Sequence, residues 1–174
     1  NDQMTADAAA GSDYLKIRSD AMFNSLDIDV LEVHEGWVHL GTTLNGMAQP
    51  WCTFLGKGPP SSTTTQEGLA VFSEYMSGAL TLKRLKELAY RVIASDSLIK
   101  GYNFADTFDL IHNQHKLNKH EAFSITLRAH RGGGFTKDRL YLSGLQKIYR
   151  RYKQGKSMDV LLTGKVALDY EQMV

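Results

Sequence analysis

The sequence predicts a mainly α fold with few short strands. Three observations carry that prediction. Apolar residues recur at helical spacing in several stretches, as in Leu82, Leu85, Leu88, Ala89 and Val92. Several of these stretches open on a helix-capping residue, such as Asn103 or Asn118. Against them, Tyr14-Leu15-Lys16-Ile17-Arg18 reads as a short strand.

Residues 1–12 are small and polar and are expected to fray. The strand at residues 14–18 would be an edge along which an extended chain can pair. A plain connector fits the same residues. Asn24 or Ser25 caps the next helix, and Asp27 and Asp29 suit its first turn. That helix runs to about Gly41. Residues 42–62 are rich in Gly, Pro, Ser and Thr, and Pro59-Pro60 breaks a helix, so a long loop is expected. Trp51 and Phe54 would pin it to the body. The next helix carries Leu69, Val71, Phe72, Tyr75 and Met76 and ends near Gly78. Helices follow over residues 80–95, 103–115, 118–130 and 136–153, with Phe104, Phe108, Leu110, Ile111, Leu140, Leu142, Leu145, Ile148 and Tyr149 turned inward. A short helix from about Leu168 closes the tail.

The length of 174 residues is one domain's worth, and 43% hydrophobic residues are enough for a core. A single cysteine, Cys52, excludes an internal disulfide and points to a reducing, cytoplasmic setting. No run of about 18 apolar residues is present, so no membrane span is expected. The net charge of +1 hides an asymmetry. Residues 1–80 hold three Lys/Arg and ten Asp/Glu, and residues 81–174 hold seventeen and nine. Such a contrast can mark a nucleic-acid partner. Here Lys147, Arg150, Arg151 and Lys153 cluster at a helix C-terminus, where the dipole accounts for them. No nucleic-acid motif accompanies them, so that partner is not expected.

The chemistry centres on His34-Glu35-Gly36-Trp37-Val38-His39. A hydrolytic zinc site needs three protein ligands and an open position, with a carboxylate base beside it. The usual arrangement is H-E-x-x-H, whose two histidines share a helix face. Here three residues separate the histidines. In an α-helix, positions i and i+5 stand roughly 140° apart, against roughly 40° for i and i+4. A π-bulge absorbs one extra residue, so a bulge or bend is predicted between Glu35 and His39, with Gly36 easing it. Two ordinary histidines on an amphipathic helix fit the spacing equally well. Glu67 also has two readings. It can be a third ligand, or it can cap its own helix through the T-x-x-E pattern of Thr64 and Glu67.

His112, His115 and His120 have no spacing that suits a metal helix and read as surface residues. The run Gly132-Gly133-Gly134 matches neither phosphate-binding glycine motif.

Taken in order, His34-Glu35-x-x-x-His39, Gln66-Glu67-Gly68-Leu69-Ala70, Arg131-Gly132-Gly133-Gly134-Phe135-Thr136-Lys137-Asp138 and Tyr141-Leu142-x-Gly144-Leu145 resemble the tyrosine carboxypeptidase family of zinc peptidases. Its bacterial relatives carry a QEGLM motif where this chain has Gln-Glu-Gly-Leu-Ala. The resemblance spans roughly residues 5 to 170. It implies a zincin-like helical catalytic lobe holding one Zn2+ on His34, His39 and Glu67, with Glu35 as general base. It implies a peptide or protein C-terminus as substrate, with Arg131 or Lys137 receiving the terminal carboxylate and Tyr141 holding the carbonyl oxygen. It also implies that residues 1–174 are one catalytic domain from the C-terminal part of a longer protein. A regulatory or scaffolding protein that keeps the fold without turnover is the alternative.

Overall fold

The computed structural model describes residues 7–11, 13–132 and 134–173, without the side chains of residues 134–136 and 171–173. The expected fraying of residues 1–6, and the central glycine of the Gly132-Gly133-Gly134 run, lie outside the described residues. The fold is mainly α. The strands β1 (Ala8–Ala10) and β2 (Leu15–Ile17) form one antiparallel pair, with Ala8 opposite Ile17 and Ala10 opposite Leu15. The strand expected at residues 14–18 is present. Its partner falls in the stretch read as a frayed end, because that stretch is small and polar and its alanines become a strand only through pairing.

Two compact units divide the chain, residues 1–80 with 143–174, and residues 81–142. The first unit opens on α1 (Ser25–Leu31), capped by Asn24 in a reciprocal capping box with Asp27. A π-helical segment, Glu32–Leu40, continues from it, and α2 (Gly41–Met47) continues from that. The helical path therefore runs beyond Gly41, into residues expected to form a loop. The reason is local. The Thr42 and Thr43 hydroxyls donate to the Val38 and His39 carbonyls at 2.6 and 2.7 Å, which satisfies backbone acceptors where the helical register changes. A short 3₁₀ turn, Thr53–Gly56, packs so closely on α2 that a Cβ at Gly46 would fall on the Leu55–Gly56 peptide. Trp51 and Phe54 do not pin this segment: they are 93% and 65% exposed.

Helix α3 (Ser62–Ser77) is the central element of this unit. The core joins its Leu69, Ala70 and Phe72 to Val38, Ile148 and Leu161. Fully burying each of the larger side chains contributes about 1.5–3 kcal/mol. Ile148 comes from α7 (Gly134–Lys153) and Leu161 from α8 (Asp159–Leu162). A 3₁₀ stretch, Leu168–Met173, ends the described chain.

The second unit holds α4 (Leu82–Ile99), α5 (Phe104–Asp109) with a π-helical turn at Leu110–Gln114, α6 (Lys119–His130) and the first part of α7. Thr81, Asn103 and Asn118 cap the first three of these helices. Ala94, Ile111, Ala122, Ile125 and Ala129 form its core. Leu82, expected inward, is exposed, because it is the first residue of α4 and stands beyond the buried Leu88. Asp138 is buried and accepts from Arg128 Nε at 2.9 and 3.1 Å, joining the end of α6 to the start of α7.

Candidate metal centre

The candidate centre lies in the first unit, where the π-helical segment meets α3. In an i→i+5 backbone ladder, His39 stands one turn on from His34, and the Gly41 amide donates to the Gly36 carbonyl in that pattern. The extra residue between the histidines is thus absorbed as expected, although Gly36 keeps out of the left-handed region. The two imidazole rings lie 5.0 Å apart, nearly perpendicular. His34 is buried and His39 is partly so.

Glu67 settles between them. Its Oε2 is 3.6 Å from His34 Nε2 and 3.8 Å from His39 Nε2. The capping role does not apply, because α3 starts at Ser62 and Glu67 is already in its second turn. Zinc bonds of about 2.0–2.2 Å at tetrahedral angles would hold donor atoms about 3.3–3.6 Å apart. Of the observed separations, 3.6 Å falls at the upper end of that range and 3.8 Å just beyond it, so Glu67 can share such an ion with each histidine after small movements.

Glu35 is nearby as well. Donor atoms of His34, Glu35 and His39 all lie within 4.8 Å of one another, so Glu35 competes with Glu67 for the ligand position. For Glu67, a single oxygen lies within 4 Å of both Nε2 atoms, as a shared ligand requires. Glu35 Oε2 instead accepts from the Ala10 amide at 3.1 Å, which ties β1 to the π-helical segment and holds this carboxylate at the edge of the cluster.

One participant was not legible in the sequence. Glu74 is fully buried and lies 2.7 Å from His34 Nδ1. It stands seven residues after Glu67, two turns along α3, so one helix face presents a carboxylate to each nitrogen of the same imidazole. That i, i+7 spacing was the available signal. A carboxylate accepting from Nδ1–H fixes the tautomer and leaves Nε2 for a metal. Burial opposes a charge on His34, but Glu67 and Glu74 outweigh it and push its imidazole up to about 9. An incoming metal therefore has a proton to displace.

Close packing sets the position of Glu67. A Cβ at Gly68 would lie 2.5 Å from Gly144 Cα, and one at Gly144 would lie 2.7 Å from Gly68 Cα. Here α3 and α7 touch backbone to backbone. Gln66 is buried, and its Oε1 lies 2.9 Å from Thr42 Oγ1, linking α3 to α2.

A family model described as microtubule-associated tyrosine carboxypeptidase matches residues 1–174. The chain belongs to that family. Comparison with curated proteins and with solved structures gave no match. Membership in the tyrosine carboxypeptidase family implies a carboxypeptidase-like function and a protein C-terminus as the class of substrate. No helix among the described residues is long and apolar enough to cross a membrane.

The remaining residues that the family motifs singled out belong to the second unit. Arg131 is exposed and closes the C-terminus of α6. The Lys137 ammonium lies 5.9 Å from the centroid of the Tyr141 ring, and Tyr141 is buried. His112 contacts the Leu117 carbonyl at 2.6 Å and His115 packs near Tyr90, so both are held locally.

Proposed function

We propose that this member of the family is a zinc-dependent carboxypeptidase, active in the cytoplasm, that hydrolyses the last peptide bond of a peptide or protein. The observation that carries the reading is the convergence of His34 Nε2, His39 Nε2 and Glu67 Oε2 with Glu35 alongside. These three would hold one Zn2+. When bound, the metal would supply a Lewis acid for the scissile carbonyl and lower the pKa of water to about 7.

The chain's own groups do the rest. Glu35 takes a proton from the attacking water and delivers it to the leaving amine, so that it begins and ends each cycle ionised. Its hydrogen bond from the Ala10 amide keeps the carboxylate oriented between those transfers. Glu74 holds the His34 ring through Nδ1. The β1–β2 pair offers an edge beside the π-helical segment on which an extended peptide can lie. Tyr141 is proposed to steady the carbonyl oxygen, and Arg131 and Lys137 to contact substrate. The experiment that tests the reading is hydrolysis of tyrosine-ended peptides, followed by the release of free tyrosine. Release that depends on added zinc is expected. No release from any peptide by zinc-loaded protein would favour the scaffolding alternative.

Glu74→Gln provides a narrower check. It keeps the shape but removes the charge that holds the His34 tautomer. The expected result is a 10- to 100-fold weaker affinity for zinc, measured by competition with a chelator, about what loss of such an outer partner costs.

A further inference from the structure

Two residues that would bind no metal stand directly before two that would. Val38 precedes His39 on the π-helical segment, and Gln66 precedes Glu67 on α3. Thr42, in the first turn of α2, joins them. Its hydroxyl is 2.6 Å from the Val38 carbonyl and 2.9 Å from Gln66 Oε1. Thr42 is fully buried and Gln66 is 4% exposed, so both are shut off from bulk water. The His39 carbonyl, 3.4 Å from the same hydroxyl, is already served by the Thr43 hydroxyl at 2.7 Å.

A proton count decides how these groups connect. A threonine hydroxyl carries one hydrogen and can give it to one strong acceptor. At 2.6 Å the Val38 carbonyl takes it. With Oε1 facing Thr42, two oxygens would then meet with no hydrogen between them. Nε2, which is buried and has no partner among the described residues, would go unused. A half-turn of the amide about its last side-chain bond exchanges its oxygen and nitrogen with almost no change of shape. Nε2 then donates to Thr42 Oγ1. The atom left over is a carbonyl oxygen, which is less rarely left without a partner when buried than an N–H is.

We propose that Gln66 is a positioning residue of the metal centre. Its amide donates to Thr42, Thr42 donates to the Val38 carbonyl, and this buried chain ties the residue before one ligand to the residue before another. It thereby sets the approach of Glu67 Oε2 to His39 Nε2, 3.8 Å in this structure. The chain crosses the junction where the π-helical ladder gives way to α2, so it also holds the register that brings His39 to the same face as His34. The role rests on the metal-centre reading above and deepens it.

The test uses the whole chain, with zinc affinity measured by competition with a chelator and Co2+ as a spectroscopic stand-in. Thr42→Val and Gln66→Met nearly keep the volume, and each breaks the chain of bonds. Each variant is expected to bind zinc about 10-fold more weakly, the lower end of what loss of an outer partner costs. Each should also shift the visible absorption of bound Co2+, which a loss of stability alone would leave unchanged. The double variant should lose little more than either single one, because both remove the same link. Thr42→Ser keeps the hydroxyl and should stay within about twofold of the wild type. In the metal-free chain, NMR should show one Gln66 Nε2 hydrogen protected from exchange in the wild type and unprotected in Thr42→Val. Unchanged zinc affinity and Co2+ spectrum in both single variants overturn the role. So do losses that add in the double variant, or two rapidly exchanging Nε2 hydrogens in the wild type. A wild-type chain that takes up neither ion would overturn the metal centre itself, and the positioning role with it.

Discussion

Glu35→Gln is expected to lower kcat for peptide hydrolysis by about 10²- to 10⁴-fold, with zinc still bound at one per chain. The prediction follows from what separates the two carboxylates of the centre. Glu67 approaches both imidazole Nε2 atoms at 3.6 and 3.8 Å, as a ligand would. Glu35 is held at the edge of the cluster by the Ala10 amide, as a base would be. Glutamine keeps the volume and can still accept from Ala10, so the fold should not move. KM should change little, because the substitution removes a proton acceptor and leaves the binding contacts. The informative contrary result is loss of zinc together with activity. It would make Glu35 the third ligand and remove Glu67 from the metal.

Gly68→Ala carries the second large effect, and it reports on the scaffold. The added methyl would meet Gly144 Cα at 2.5 Å, and the obstacle is backbone, which cannot rotate aside. Overpacking of this kind costs about 1–3 kcal/mol, sometimes more. Glu67 is the preceding residue on α3, so separating the helices also displaces a ligand. Urea denaturation should show the loss of stability, and zinc affinity should fall with it. Gly144→Ala should behave alike, since its methyl would meet Gly68 from the other side. Unchanged stability in both variants would mean that the helices do not meet at these glycines. It would also remove the reason why this family motif needs Gly68.

The outcome at particular residues shows what the sequence makes visible. The π-helical segment could be anticipated because a shared metal needs both histidines on one face, and five-residue spacing then demands an extra residue in the turn. The caps at Asn24, Asn103 and Asn118 are local chemistry, and local chemistry was readable. Glu74 was not, since Phe72-Ser73-Glu74-Tyr75 looks like an ordinary half-exposed helical turn. It becomes fully buried only because His34, forty residues earlier, packs on it. The strand at Ala8–Ala10 depends on β2, and α2 depends on threonine hydroxyls returning to the preceding turn. In each case a contact distant in sequence, or a side chain bonding its own backbone, overrode composition. The apolar residues of the path from α1 into the π-helical segment stay largely outside the core: α1 has no fully buried residue, and Leu26 and Ile28 on it and Trp37 on the π-helical segment are exposed.

The measurement that tests the central claim most directly is metal content by mass spectrometry on untagged protein, beside His39→Ala and Glu67→Ala. The convergence of His34, His39 and Glu67 predicts close to one zinc per chain, lost in both variants. Zinc absent from the wild type even after reconstitution, or retained in Glu67→Ala while lost in His39→Ala, would contradict it.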